Sequence, residues 1–269
     1  LKTIYWLGEF TTLKKLYNLH TTHPITVRYI RLLFGRQTTF GWFCLFWNGK
    51  IIKTTIYIDG YNLYYGLLRN SKLKWLDIVK LFAEYILDKN AELTQVRYYT
   101  APVLGRMSDD PMSTQRQRLY LQALTKMYPN SLEIIQGKIL ATTPFQRLVR
   151  PINEAPELKI VQVYDFNEKK TDVNLASDLI SGAWTGAYEQ AVVCSNDSDL
   201  EGALAAVKRH HAQLRIGLVA PIQSKNHRHI SGDLAKHSDW RKILGVSHVA
   251  NAQLPFKIPN SKIQKPDSW

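Results

Sequence analysis

The sequence predicts an α/β fold in which a central, mostly parallel sheet carries helices on both faces. Two observations carry that prediction. Short apolar or β-branched runs alternate with amphipathic helical stretches from Thr54 to about Leu244. Acids, moreover, stand where such runs give way to helices, at the edge of an open α/β sheet where ligands bind. The clearest case is the stretch AVVCSNDSDL, residues 191–200: a buried-strand pattern over Ala191, Val192, Val193 and Cys194 stops at Ser195 and passes through Asp197 and Asp199 into a helix. Ser and Asp also cap free helix N–H groups, so taken alone these residues support a structural role equally well.

In chain order, residues 54–58 (TTIYI) are rich in β-formers and run directly into Asp59-Gly60-Tyr61-Asn62. Leu76, Val79, Phe82, Ala83, Ile86 and Leu87 form a helical stripe over residues 75–87. Residues 95–100 read as a strand, 112–128 as a helix, and 132–136 as a strand closed by Gly137. Residues 141–157, with Pro144, Pro151 and Pro156, read as a loop, and 160–164 as a strand. A helix over 172–184 groups Val173, Ala176, Ile180 and Ala183. The strand at 191–194 leads to a helix reaching about His211; 214–220 is the last strand and 231–244 the last helix. The domain is therefore expected over 51–248, with 249–269, polar and bearing Pro255, Pro259 and Pro266, as a flexible tail.

Residues 1–50 show neither helical nor strand periodicity and are expected to be an extension, either a mis-assigned start or disordered. They hold seven Lys and Arg against one acid, a balance of +6, which leaves +7 of the net +13 to the other 219 residues. A basic surplus of this size favours a polyanion, nucleic acid or a membrane surface. The apolar run GWFCLFW (residues 41–47) is far short of the ~20 residues a spanning helix needs, and no membrane partner is expected. Cys44 and Cys194 match no metal-ligand spacing, and reduced thiols in a cytoplasmic protein are expected.

Asp59, Asp172 with Asp178, and Asp197 with Asp199 all fall at or near strand ends, which in a parallel sheet point to one rim. Carboxylates gathered there repel unless a cation sits between them, and Mg²⁺ characteristically takes a few carboxylates plus water and substrate phosphates. At about 100° per residue, Asp172 and Asp178 lie roughly 120° apart around their helix. Asp172, at the helix start, is the better ligand; Asp178 is left to orient a water or a basic neighbour, or to face solvent.

Asp59-Gly-Tyr-Asn62, Lys170-Thr-Asp172-Val-Asn-Leu-Ala-Ser-Asp178 and Ser195-Asn-Asp197-Ser-Asp199-Leu, in that order, resemble the successive motifs of the NYN domain, the PIN-like nucleases that include the LabA-type proteins. The resemblance runs from about Thr54 to Gly245, with Gly137 and the segment 234–239 included. It departs at Leu200, where an aromatic residue is frequent, and at Asn196, where Gly is common. What it implies is a three-layer PIN-like fold and a metal-dependent ribonuclease, with Asp59, Asp172, Asp197 and Asp199 gathered around Mg²⁺ or Mn²⁺. Asn62 and Lys170 match the Asn after the first acid and the basic residue ahead of the third-motif acid.

On that basis the expected chemistry is hydrolysis of an RNA phosphodiester by a metal-activated water, leaving a 5′-phosphate. Asp59, Asp172 and Asp197 are expected on the metal, Asp199 on the acidic rim, and Asn62 and Ser195 on the scissile phosphate or metal waters. Arg116, Arg118, Arg147 and Arg150, together with Lys225 and Arg228, are candidates for the RNA backbone, which positions without specifying sequence. Tyr61, Tyr64 and Tyr65 are able to stack on an unpaired base, which favours single-stranded RNA, although packing against the sheet is the stronger expectation. A catalytically weak RNA-binding module of the same fold is the competing reading, and a homo-oligomer is compatible with the sequence. A phosphohydrolase of the haloacid-dehalogenase type requires a second acid two residues after Asp59, where this chain has Tyr61.

Overall fold

The computed structural model describes residues 50–105, 110–222 and 229–269. The expectations for residues 1–49, and for Lys225 and Arg228, lie outside the described residues. Strand β1 (Ile52–Asp59) is the middle of a six-stranded sheet, and every residue from Thr54 to Asp59 is buried because helices cover both faces. It runs into a short helix α1 (Gly60–Leu63) that continues as a π-helical stretch, Tyr64–Leu68. Helix α2 (Ile78–Lys80) likewise continues as a π-helical stretch, Leu81–Ile86. Then come β2 (Ala91–Thr100), helix α3 (Ser113–Met127) and β3 (Leu132–Gln136). After the ribbons described below, α4 (Thr171–Thr185), β8 (Gln190–Cys194), a 3₁₀ turn (Ser198–Leu200), α5 (Glu201–His210) and β9 (Arg215–Ala220) complete the alternation.

With β10 (Trp240–Ile243) at one edge, the strand order is β10-β9-β8-β1-β2-β3, and all five pairings are parallel. From β1 the chain builds outward through β2 and β3, and from β8 it builds outward the other way. The order therefore reverses between β1 and β8, and the crevice beyond their carboxyl ends is where such sheets bind ligands. Alternation along each strand sorts the two cores. Ile56, Ile58, Val192 and Cys194 face one, with Trp75, Phe82 and Leu124; Tyr57, Ala191 and Val193 face the other, with Leu175, Leu179 and Leu204 of α4 and α5.

Four expectations are corrected. Strand β2 begins at Ala91, four residues before Gln95. The expected loop at 141–157 and strand at 160–164 instead form two antiparallel ribbons outside the main sheet. In one, β4 (Lys138–Thr142) pairs with β7 (Asp165–Lys169); in the other, β5 (Phe145–Arg147) pairs with β6 (Ile160–Gln162). The expected helix at 231–244 is a single turn, α6 (Gly232–Ala235), followed by an edge strand, β10 (Trp240–Ile243). Asp239 forces the change: its N–H donates to Ile216 O and its carboxylate accepts from Ile216 N–H at 2.7 Å and from Lys208 Nζ at 3.0 Å, which docks the chain beside β9. The closing stretch 249–269 is not a loose tail. It follows helix α7 (Val246–Asn251), buries Val249, Ala252, Leu254 and Ile258, and brings Trp269 against Trp75 and Tyr120. Trp75 Nε1 donates to Pro255 O at 2.9 Å, so the prolines sit in a packed strap.

Candidate metal centre

Three segments remote in sequence meet at the carboxyl edge of the sheet. Asp59 ends β1 and caps α1, its Oδ1 accepting from Asn62 N–H at 2.9 Å. Asp172 stands in the first turn of α4, and Asp197 follows β8 and caps the 3₁₀ turn. One carboxylate oxygen from each lies within 4.8 Å of the other two. Asp59 is buried, while Asp172 and Asp197 are partly open to solvent.

A single hydroxyl locks two of the acids. Ser195, fully buried, donates from Oγ to Asp59 Oδ2 at 2.9 Å and accepts from Asp197 N–H at 3.1 Å. Asn62 Oδ1 accepts from Asn196 N–H at 3.0 Å, stitching the first motif to the last. Asn62 and Ser195, expected on a phosphate or on metal waters, thus spend these bonds on the framework that aims the aspartates. Asn196 in turn clasps the chain beyond β9: its Nδ2 donates to His229 O at 3.1 Å and its Oδ1 accepts from Ser231 N–H at 2.8 Å.

The charges are crowded. Burial pushes the Asp59 carboxyl up, Asp197 adds to the rise, and the Asn62 N–H and Ser195 hydroxyl oppose it. Burial, then the charges of Asp59, Glu168, Asp197 and Asp199, push Asp172 up to about 6. Three carboxylates without imidazole or thiolate form a hard oxygen donor set that fits Mg²⁺ or Mn²⁺, and a cation there relieves the repulsion. Because the folded protein holds this proton to higher pH than the unfolded chain does, stability from this group is lost as pH rises through the window. The melting temperature of metal-free protein is expected to fall between about pH 4 and about pH 6, and saturating Mn²⁺ to reverse the loss above pH 6. Metal-free melting that is flat across this window would refute the crowding.

The remaining expected site residues are placed apart from this trio. Asp199 is exposed and outside the group; its N–H donates to Asp197 Oδ1 at 3.1 Å, so it holds the Asp197 carboxylate and adds negative charge to the rim. Asp178 accepts from the Tyr99 hydroxyl at 2.8 Å and faces Arg97 at 3.6 Å, the basic-neighbour role. Lys170 is exposed and begins α4 in the left-handed region, at φ 83°. Arg116 pairs with Asp110, Arg118 lines a groove with Gln136 and Lys126, and Arg147 and Arg150 are exposed on the ribbons and their connecting loop.

Sequence reasoning misses Glu168. It is the next-to-last residue of β7, and its Oε1 accepts from both the N–H and the hydroxyl of Thr171, capping α4 while its charge bears on Asp172. An acid three residues ahead of a helix start is the signal that could have found it. Gly137 packs tightly here: a Cβ on it would stand 2.5 Å from Thr171 Oγ1 and 2.7 Å from Glu168 Oε1.

The family profile of the NYN domain matches residues 53–239, which span all three aspartates and every strand of the sheet from β3 to β9. The chain belongs to the NYN domain family. A curated relative is 35% identical over 241 residues, covering 82% of this chain and 77% of the relative: the 6-hydroxy-3-succinoylpyridine 3-monooxygenase HspA of Pseudomonas putida. A crystal structure of a protein of unknown function from Vibrio parahaemolyticus aligns with 73% of this NYN chain and 94% of its own, at 16% identity and a TM-score of 0.41, a likeness too slight to carry an argument. The NYN fold is of nuclease type, and among the described residues no helix is long and apolar enough to cross a membrane.

Proposed function

We propose that this chain is a metal-dependent ribonuclease that hydrolyses RNA phosphodiesters, with Asp59, Asp172 and Asp197 holding Mg²⁺ or Mn²⁺. The observation that carries the reading is the meeting of these three carboxylates within 4.8 Å at the sheet's switch point. A divalent cation there would neutralise a phosphodiester and acidify a water for in-line attack. The chain's own residues do the positioning. Ser195 and Asn62 fix Asp59 and Asp197, Glu168 fixes the start of α4 and so the direction of Asp172, and Asp199 extends the negative rim that draws a cation. The net charge of +13 supports a polyanionic substrate, and the absence of any requirement for a catalytic histidine agrees with the histidine-free trio.

The monooxygenase name of the 35% relative favours a second reading, oxygenation of a hydroxypyridine. Such a reaction consumes O₂ and two reducing electrons. The all-carboxylate trio lacks the two imidazoles of the non-haem iron facial triad. The trio and the basic surplus suit a phosphodiester better than a hydroxypyridine, and the hydrolytic reading is preferred.

The test is cleavage of labelled single-stranded RNA by the full chain with Mn²⁺ or Mg²⁺, beside Asp197→Asn. Cleavage to 5′-phosphate ends is expected, with a loss of at least about a hundredfold in the variant, since metal charge stabilisation is worth several kcal/mol. A parallel incubation holds 6-hydroxy-3-succinoylpyridine, O₂ and a nicotinamide reductant. Oxygen uptake there with intact RNA would select the second reading, and RNA binding without cutting or uptake would select a binding module.

A further inference from the structure

Helix α1 and its π-helical continuation leave the acidic centre directly from Asp59, and their outer side carries three tyrosines. Tyr61 and Tyr65, four residues apart, stack with centroids 5.9 Å apart and planes 26° from parallel. Tyr64 meets Tyr65 edge-on at 5.3 Å. Packing was the stronger expectation for all three, yet Tyr64 is 37% and Tyr65 55% exposed. Only Tyr61 is largely covered; its hydroxyl is buried without a hydrogen-bond partner among the described residues. Tyr61 follows Asp59 by two residues and Glu168 bears electrostatically on both Tyr61 and Asp172, so the covered end of the column lies toward the acids and the open end faces solvent. Cations flank the open end. Arg69 lies 5.4 Å over the Tyr65 ring, and the charges of Arg69 and of Arg116, the latter paired with Asp110, both reach Tyr64.

We propose that Tyr64 and Tyr65, with Arg69 beside them, form a stacking platform that seats one unpaired nucleobase next to the acidic centre. This deepens, and rests on, the nuclease reading of the same site. Exposed aromatic rings with an adjacent cation are how proteins hold unpaired bases, and a duplex offers no free base face to them. An exposed cation–π contact is weaker than base-on-ring stacking, so an arriving base displaces Arg69 from Tyr65 and frees its guanidinium for the neighbouring phosphate. The short step from Tyr65 through Tyr61 to Asp59 then sets the unpaired nucleotide next to the bond to be cut.

The experiment measures binding, without chemistry, of a fluorescein-labelled single-stranded RNA and of the same sequence as a duplex, to the full chain in EDTA at fixed salt. The single strand is expected to bind more tightly. Tyr65→Ala is expected to weaken it roughly tenfold, Tyr64→Ala by less, and Tyr65→Trp to restore it, as stacking on an aromatic face requires. Equal affinity for strand and duplex, or Tyr65→Ala binding as the native protein does, would overturn the platform even if the protein cuts RNA. Displacement of the strand by 6-hydroxy-3-succinoylpyridine at equal concentration would also overturn it, by assigning the rings to a small heterocycle. Tyr65-dependent binding with no cleavage under Mn²⁺ would instead remove the nuclease reading and leave the platform standing.

Discussion

Replacing Asp172 by Asn is expected to lower metal-dependent RNA cleavage by roughly 10²–10³-fold while making the metal-free protein more stable. The two effects share one cause. Asp172 sits half-buried among Asp59, Glu168, Asp197 and Asp199, and each raises the cost of its charge. Asn keeps the shape but drops the charge, so the cation loses a ligand and the empty site loses its repulsion. Solvent screens the half-exposed group, which holds the gain to on the order of 1 kcal/mol, roughly 2–4 °C for a domain of this size. Initial cleavage rates and melting curves in EDTA check both halves. A variant that cuts RNA within tenfold of the native rate would show that this carboxylate is not a ligand, and one that melts lower in EDTA would show that it is not crowded.

A chain ending at His248 is expected to lose its cooperative thermal transition. The segment removed places Val249, Leu254 and Ile258 in the core, each under 5% exposed, and leaves Trp75 without Pro255 O and Trp269. At about 1.5–3 kcal/mol per buried side chain, the loss is roughly 5–9 kcal/mol, comparable with the whole ~5–15 kcal/mol stability of a typical domain. Asp77 would also lose the Ala252 carbonyl that its N–H donates to at 2.8 Å. Near-ultraviolet circular dichroism against temperature is the measurement. A sharp transition within a few degrees of that of the full chain would show the strap to be dispensable.

The acids are legible in the sequence because strand and helix meet abruptly at Asp59 and at Ser195, and a parallel sheet leaves only one rim for both. The wheel argument separating Asp172 from Asp178 succeeds for the same reason: one helix fixes both angles, and Asp178 accordingly turns to Tyr99 and Arg97. Elements held by distant partners are less visible. Residues 240–243 carry a helix-compatible pattern and become a strand only because Asp239 is captured by Ile216 and Lys208. The strap at 249–269 shows prolines and polar residues first, while its buried Val249, Leu254 and Ile258 follow no regular period. The β5–β6 ribbon has mostly exposed side chains on both strands, so no apolar alternation announces it. Ser195 and Asn62 are recognisable as site residues, but their partners, and hence their work as supports, exist only in three dimensions.

The ribbon pair leaves the domain and returns to it at one point, Lys138 opposite Lys169, with Gly137 and Thr171 packed together just inside. Everything between those two lysines except Glu168, which turns back to cap Thr171, hangs outside that clasp. Lengthening, shortening or rewriting the excursion short of Glu168 therefore leaves in place the cap that starts α4 and carries Asp172. So long as Glu168 is kept, variation in the ribbons is mechanically insulated from the three aspartates.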